Sequence, residues 1–96
     1  MRNFRSLMVW TKAHKLAVDL FRAAGSFSPE HRFTLGDQVR RAALSIPADL
    51  AEGCRRNRNH SIEFARSITI AFGSACELES HLLMIRELSL IPAPLT

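Results

Sequence analysis

The sequence predicts an all-α fold: an up-and-down helical bundle formed by a single domain over residues 1–96. Two observations support this prediction. Three segments place apolar residues at the three- and four-residue spacing of helices, and no segment shows the alternation of a strand. A chain of this length buries a small core, so we expect it to gain stability by self-association.

The first predicted helix covers residues 6–24. Its apolar stripe is formed by Trp10, Ala13, Ala17, Leu20 and Ala24, and Gly25 is the expected stop. In the connector that follows, Ser28, Pro29 and Glu30 have the residue types of a helix cap and first turn. We expect Phe27 and Phe33 to pack this connector against the bundle.

The second predicted helix covers residues 34–53, with Thr34 and Asp37 in the arrangement of a weak capping box. Its apolar stripe is formed by Leu35, Val39, Ala42, Ile46 and Leu50. Pro47 interrupts this stripe, and a proline inside a helix costs about 3 kcal/mol. We therefore expect either a kink near residues 43–46 or a restart of the helix capped by Ser45.

The third predicted helix, residues 61–88, has the most regular pattern. Its apolar residues recur at intervals that alternate between four and three, as in a coiled coil. They are Phe64, Ile68, Ala71, Ala75, Leu78, Leu82 and Ile85. Phe72, Leu83 and Met84 widen the apolar surface beyond what one partner helix covers. The small residues 73–75 indicate either a close helix approach or a local weak point in the helix, and we favour the close approach. Two prolines in residues 89–96 predict an irregular tail.

Positive charge is concentrated in the first two thirds of the chain. Residues 1–66 carry twelve Lys/Arg and six Asp/Glu, a net charge of +6, whereas residues 67–96 have a net charge of −2. Most of the cations are arginines, whose planar guanidinium suits phosphate and carboxylate. The candidate phosphate-contacting residues are Lys12, Lys15, Arg40, Arg41, Arg55, Arg56 and Arg58.

Two interpretations of these cations remain open. In the first, they contact the phosphates of RNA or DNA without reading bases, which gives salt-dependent and weakly specific affinity. In the second, the chain is a structural or protein-interaction module whose arginines pair with acidic partner surfaces. The second helix also has four polar residues on one face, because they are spaced four, four and three residues apart. This predicted polar seam consists of Arg41, Ser45, Asp49 and Glu52.

The sequence predicts neither a catalytic site nor a metal site. Cys54 and His60 lack a third orienting residue and a glycine-rich turn, so no catalytic site is predicted. Cys76 and His81 lie about 140° apart around a helix, which prevents joint chelation. The carboxylates Asp49, Glu52, Glu77 and Glu79 lack the Glu-x-x-His pattern of di-metal bundles. We expect no metal and no cofactor.

The N-terminal apolar run is too short for a signal core or a membrane span, so no membrane partner is expected. Cys54 and Cys76 have no CxxC spacing. Two free thiols in a cytoplasmic protein are the expectation.

Four blocks of sequence together resemble a known family. They are Leu-Met-Val-Trp-Thr-Lys-Ala at residues 7–13, the Phe-to-Leu connector at residues 27–35, Gln-Val-Arg-Arg-Ala-Ala-Leu-Ser-Ile-Pro-Ala-Asp-Leu-Ala-Glu-Gly at residues 38–53, and Ile-Ala-Phe-Gly-Ser-Ala-Cys-Glu-Leu-Glu at residues 70–79. In this order they are similar to the four-helix-bundle proteins of 23S ribosomal RNA intervening sequences. Three features depart from the family pattern: Asp49 replaces the usual asparagine, the loop at residues 54–60 is more basic, and residues 88–96 do not continue into a fourth helix.

The resemblance implies a four-helix-bundle fold whose fourth helix is short or missing here. Related bundles include the accessory variability determinant of diversity-generating retroelements, a basic pentameric barrel that works with a reverse transcriptase and nucleic acid. This relation implies a homo-oligomer, with a pentamer favoured over a dimer, and RNA or DNA as a partner.

Overall fold

A computed structural model describes residues 3–55 and 60–90, and these ranges are helical and contain no strand. A 3-10 turn at Phe4–Ser6 precedes four α-helices. They are α1 (Met8–Ala24), α2 (Pro29–Arg32), α3 (Leu35–Arg55) and α4 (His60–Glu87). The all-α prediction is confirmed, and the bounds of the three long helices agree with the sequence pattern to within two residues.

The central helix of the bundle is α3, which packs against α1 and α4, whereas α1 and α4 make few contacts with each other. One apolar cluster joins all three helices and the α1–α2 connector. Its buried members are Ala17, Leu20, Ala24, Phe27, Val39, Ala42, Ala43, Leu78 and Ile85. Alanines supply nearly half of this cluster, which lets the helix backbones approach closely. The resulting molecule is elongated, at 45 × 20 × 20 Å.

The connector after α1 follows the sequence prediction in part. Gly25 ends α1, and its N–H donates to the carbonyl oxygens of Phe21 and Arg22 at 3.3 and 3.2 Å. Phe27 is buried in the core, as expected. The prediction for Phe33 is wrong, because its ring is 69% exposed. Phe33 follows the last residue of α2, and the Arg32 guanidinium lies over its ring at 6.0 Å.

The capping box predicted for the start of α3 is not formed. Thr34 Oγ1 donates backwards, to the carbonyl oxygens of Glu30 and His31 at 3.2 and 3.3 Å. The Asp37 carboxylate accepts from Arg40 Nη1 at 3.5 Å. Both side chains that were expected to cap the helix therefore have other partners.

Helix α3 runs through Pro47 without a break, so the predicted restart is wrong. Ser45 does not act as a cap. Its hydroxyl donates to the Ala42 carbonyl oxygen at 2.9 Å, within the turn that precedes the proline. Pro47 is buried, and α3 continues through it although a proline inside a helix removes one backbone hydrogen bond.

The seam predicted for α4 is largely confirmed. Ala71, Leu78 and Ile85 are buried, and Phe64, Ala75 and Leu82 are half-buried. Two details are wrong. Ile68 is 42% exposed because Ser67, one residue earlier, faces α3. A side chain at Gly73 would meet no atom within 4 Å, so the small residues 73–75 do not mark a close approach at that position.

Residues 88–90 end α4 in a Schellman motif. Ser89 has a φ of 57°, its N–H donates to the Arg86 carbonyl oxygen at 3.1 Å, and the Leu90 N–H donates to that of Ile85 at 3.1 Å. Leu90 packs against the core beside Ile85. The predicted irregular tail beyond Leu90 lies outside the described residues.

Apolar residues also form much of the surface. Large exposed examples on α4 are Ile62, Ile68, Ile70, Phe72, Leu83 and Met84. By length and composition, Ile62–Glu87 meets the criteria for a membrane span, and core helices of soluble proteins meet the same criteria. Within residues 3–55 and 60–90, the face of α4 that the other helices cover is the one bearing Leu78 and Ile85.

Candidate nucleic-acid interface

The predicted cations that the structure describes lie on two helices rather than in one cluster. Lys12 and Arg41 are exposed, and no carboxylate in the described part of the chain pairs with either. Lys15 Nζ lies 3.2 Å from Asp19 Oδ2 in an exposed pair on α1. Because exposed pairs are weak, Lys15 is still able to contact a phosphate.

Arg40 has two partners. Its Nη1 lies 3.5 Å from Asp37 Oδ1, and its guanidinium carbon lies 5.8 Å from the centre of the Phe21 ring. These contacts hold the Arg40 side chain between α1 and α3. Arg40 is therefore held in place more firmly than Lys12, Lys15 or Arg41.

The remaining predicted cations are Arg55, Arg56 and Arg58. Arg55 is the last residue of α3. Arg56 and Arg58 lie outside the described residues, so their contact with phosphate stays a prediction.

In the part of the chain that the structure describes, Arg41, Ser45 and Asp49 do not bond to one another on α3. Arg41 is exposed, and the Ser45 hydroxyl donates to its own backbone. Asp49 is half-buried, and no donor in the described part of the chain reaches its carboxylate. Burial raises the pKa of Asp49 above its usual value. The pairing of Arg41 with Asp49 along the helix is thus absent, and pairing of Arg41 or Glu52 across a subunit interface stays a prediction.

A groove between α1 and α3 was missed by the sequence analysis. Its volume is about 310 Å³, and it is lined by His14, Ala17, Val18, Phe21, Arg22, Leu44 and Pro47. Phe21 is 40% exposed and Leu44 is 55% exposed. No carboxylate lines this groove, and the only charged lining residue is a cation. Apart from Ala17, which belongs to the core stripe of α1, the lining residues lie just beside the core stripes of the two helices. Apolar periodicity alone therefore did not separate them from the core.

A row of rings leads into the groove. The Trp10 and His14 rings stack at 4.8 Å with an angle of 17° between their planes. Phe4 packs edge-on against Trp10 at 4.9 Å, and the Arg5 guanidinium lies 5.6 Å from the Phe4 ring centre. The four-residue spacing of Trp10 and His14 is the signal that could have identified this row from sequence.

The thiols and histidines form no composite site in the described residues. Cys54 is buried and Cys76 is exposed, and neither is bonded to another cysteine. His81 Nε2 lies 3.4 Å from Glu77 Oε2, one turn away on α4. Among residues 3–55 and 60–90, no three potential metal ligands come together.

Comparison with known proteins identifies the family. The family model for the 23S rRNA-intervening sequence protein matches residues 5–94. This chain belongs to that family. The match spans all four sequence blocks and confirms the resemblance they indicated. No curated protein matches the chain.

Proposed function

We propose that this 23S rRNA-intervening sequence protein is a non-enzymatic, self-associating, cytoplasmic protein that binds RNA or DNA through phosphate contacts. The main support is the charge distribution: the net charge of +6 over residues 1–66 is accompanied by exposed cations, Lys12 and Arg41, that no described carboxylate neutralises. A surface of this kind attracts a polyanion at low salt. The family name, which refers to 23S rRNA, points in the same direction.

Self-association is supported by the exposed apolar residues of α4. Soluble monomers rarely expose large contiguous apolar surface. Other copies of the chain that cover α4 would also add their cations. Because each chain has a net charge of +4, a pentamer would carry +20. We favour a closed homo-oligomer, with a pentamer first and a dimer second.

A salt series tests the phosphate-binding proposal. Fluorescently labelled RNA and DNA oligonucleotides, single-stranded and duplex, are titrated with the protein from about 50 to 200 mM salt. We expect log affinity to fall linearly with log salt, with a slope of about −0.7 to −0.9 for each phosphate contact. Absence of binding at about 50 mM salt would contradict phosphate recognition.

The alternative is a protein-interaction module that uses its cations on an acidic partner. Two ion pairs favour this alternative: Lys15 pairs with Asp19, and Arg40 pairs with Asp37. Both side chains already bind carboxylates within the chain, and an acidic partner would offer the same group. Failure of every oligonucleotide in the salt series would make this the better account.

A further inference from the structure

We propose that the groove between α1 and α3 receives an unpaired nucleobase, so that the protein prefers single-stranded to duplex nucleic acid. This inference rests on the proposed function and adds a site to it. The site consists of Phe21, Leu44 and Pro47 in the groove, the stacked Trp10–His14 pair beside it, and Arg22 and Arg40 at its rim.

The walls of the groove suit a flat aromatic ligand. Phe21 contributes a partly exposed ring from α1, and Leu44 and Pro47 contribute apolar surface from α3. The volume of about 310 Å³ is at the lower end of the range for small-molecule sites. A groove of this size has room for one base.

The adjoining rings provide a place for a neighbouring base. His14 both lines the groove and stacks on Trp10, so a second base can stack on the exposed imidazole. Aromatic platforms of this kind bind single strands without sequence preference, because every base has a flat face. Paired bases in a duplex cannot reach such a platform without unstacking.

The charges around the groove match a phosphate backbone. Arg22 is exposed in the lining, and the Arg40 guanidinium lies 5.8 Å from the Phe21 ring centre. No carboxylate lines the groove. Arg22 has no carboxylate partner among the described residues, whereas Arg40 is paired with Asp37 at 3.5 Å. Arg22 therefore supplies the charge complementarity that favours nucleic acid over a second copy of the chain as the occupant.

Trp10 provides the probe for the test. The chain has one tryptophan and no tyrosine, so its intrinsic fluorescence reports Trp10 alone. The wild-type protein is titrated with three ligands of equal length: a single-stranded oligodeoxynucleotide, the matching duplex, and an abasic strand that keeps the phosphates and lacks bases. We expect Trp10 quenching by the single strand only. We also expect the single strand to bind about 5- to 150-fold more tightly than the abasic strand, the range for one stacked base.

Phe21→Leu removes the ring and keeps an apolar side chain in the groove wall. We expect this variant to lose most of the preference for the single strand while its salt slope stays unchanged. Leu16→Ala is the matched control, because Leu16 is an exposed apolar residue of α1 that does not line the groove. Circular dichroism and light scattering of both variants verify the fold and the solution mass.

The outcomes separate this inference from the proposed function. Equal affinity for all three ligands, with a linear salt dependence, would overturn the base site and leave phosphate binding intact. A Phe21→Leu variant with altered mass and unchanged single-strand affinity would overturn the base site by making the groove an interface between copies. No binding by the wild type would overturn both.

Discussion

A methyl group at Gly53 would lie 2.6 Å from the Cβ atom of Ser67, a separation that real side chains do not adopt. Gly53 on α3 and Ser67 on α4 therefore mark a point where the two helices approach too closely for any side chain on α3. The Phe64 ring lies 3.3 Å from the same position. The glycine that ends the Ala-Glu-Gly block is required by helix packing, since α3 continues past it as a helix.

Gly53→Ala is expected to destabilise the protein although alanine favours helices. The added methyl must push α3 and α4 apart, and overpacking of this kind costs about 1–3 kcal/mol. Chemical denaturation measures the change. Gly73→Ala is the matched control in α4: open space surrounds this position, so we expect a gain of up to about 1 kcal/mol from helix propensity. Equal effects of the two substitutions would contradict the close approach at Gly53.

Ser89→Gly is expected to stabilise the protein. Ser89 holds a φ of 57° in the Schellman motif that ends α4, a conformation that costs a residue with a Cβ atom about 1 kcal/mol and costs glycine little. Thermal or chemical denaturation should show a gain of about that size. As a control, Ser80→Gly at an exposed interior position of α4 should lower stability by up to about 0.5 kcal/mol. A loss of stability in Ser89→Gly would contradict the motif.

Asp49→Asn is expected to raise stability at pH 7 and to leave it unchanged in acid. Burial raises the pKa of Asp49, so folding favours the protonated carboxyl. Stability is therefore lost as pH rises from the unfolded pKa of about 3.9 through the higher folded pKa. The amide avoids this loss at neutral pH.

Melting temperatures of the wild type and Asp49→Asn, measured from pH 3 to 8, test this expectation. The two curves should coincide below about pH 3.9 and separate above it. Asp37→Asn is the control, because Asp37 is exposed and paired with Arg40, and we expect no gain from it at neutral pH. A wild-type advantage over Asp49→Asn at pH 7 would indicate that Asp49 has an ionic partner, as the polar seam predicts for the assembled protein.

The sequence predicts the fold well because apolar spacing identifies helices directly. Ala71, Leu78 and Ile85 were placed in the core correctly, since a three-heptad pattern averages over local detail. The same pattern wrongly placed Ile68, rather than Ser67, against α3. That choice depends on the close approach at Gly53, which is a tertiary contact.

The candidate site was harder to predict than the fold because it, too, depends on tertiary contacts. Arginine counts predict a basic surface, but they do not show that Arg40 lies over Phe21. The groove depends on how α1 and α3 pack side by side. Only the packed structure reveals that Phe21 and Leu44, from two helices, flank one opening.

Phe72→Glu is expected to weaken self-association without unfolding the chain. Phe72 is 70% exposed on α4, so a carboxylate there costs little in the monomer and much in an apolar interface. Light scattering should show a lower mass than that of the wild type, with helicity unchanged by circular dichroism. Ser80→Glu adds the same charge at an exposed polar position of α4. A wild type that is already monomeric at micromolar concentration would contradict self-association.

The double variant Lys12→Ala with Arg41→Ala is expected to weaken binding to every oligonucleotide by a similar factor. Both residues are exposed and have no described ionic partner, so their loss removes phosphate contacts without exposing an unpaired carboxylate. If each contributes one contact, the slope of log affinity against log salt should become shallower by about 1.4–1.8. Lys12→Arg with Arg41→Lys keeps both charges and should retain most of the wild-type slope. An unchanged slope in the alanine variant, with fold and mass intact, would place the phosphate contacts elsewhere, with Arg55, Arg56 and Arg58 the next set to replace.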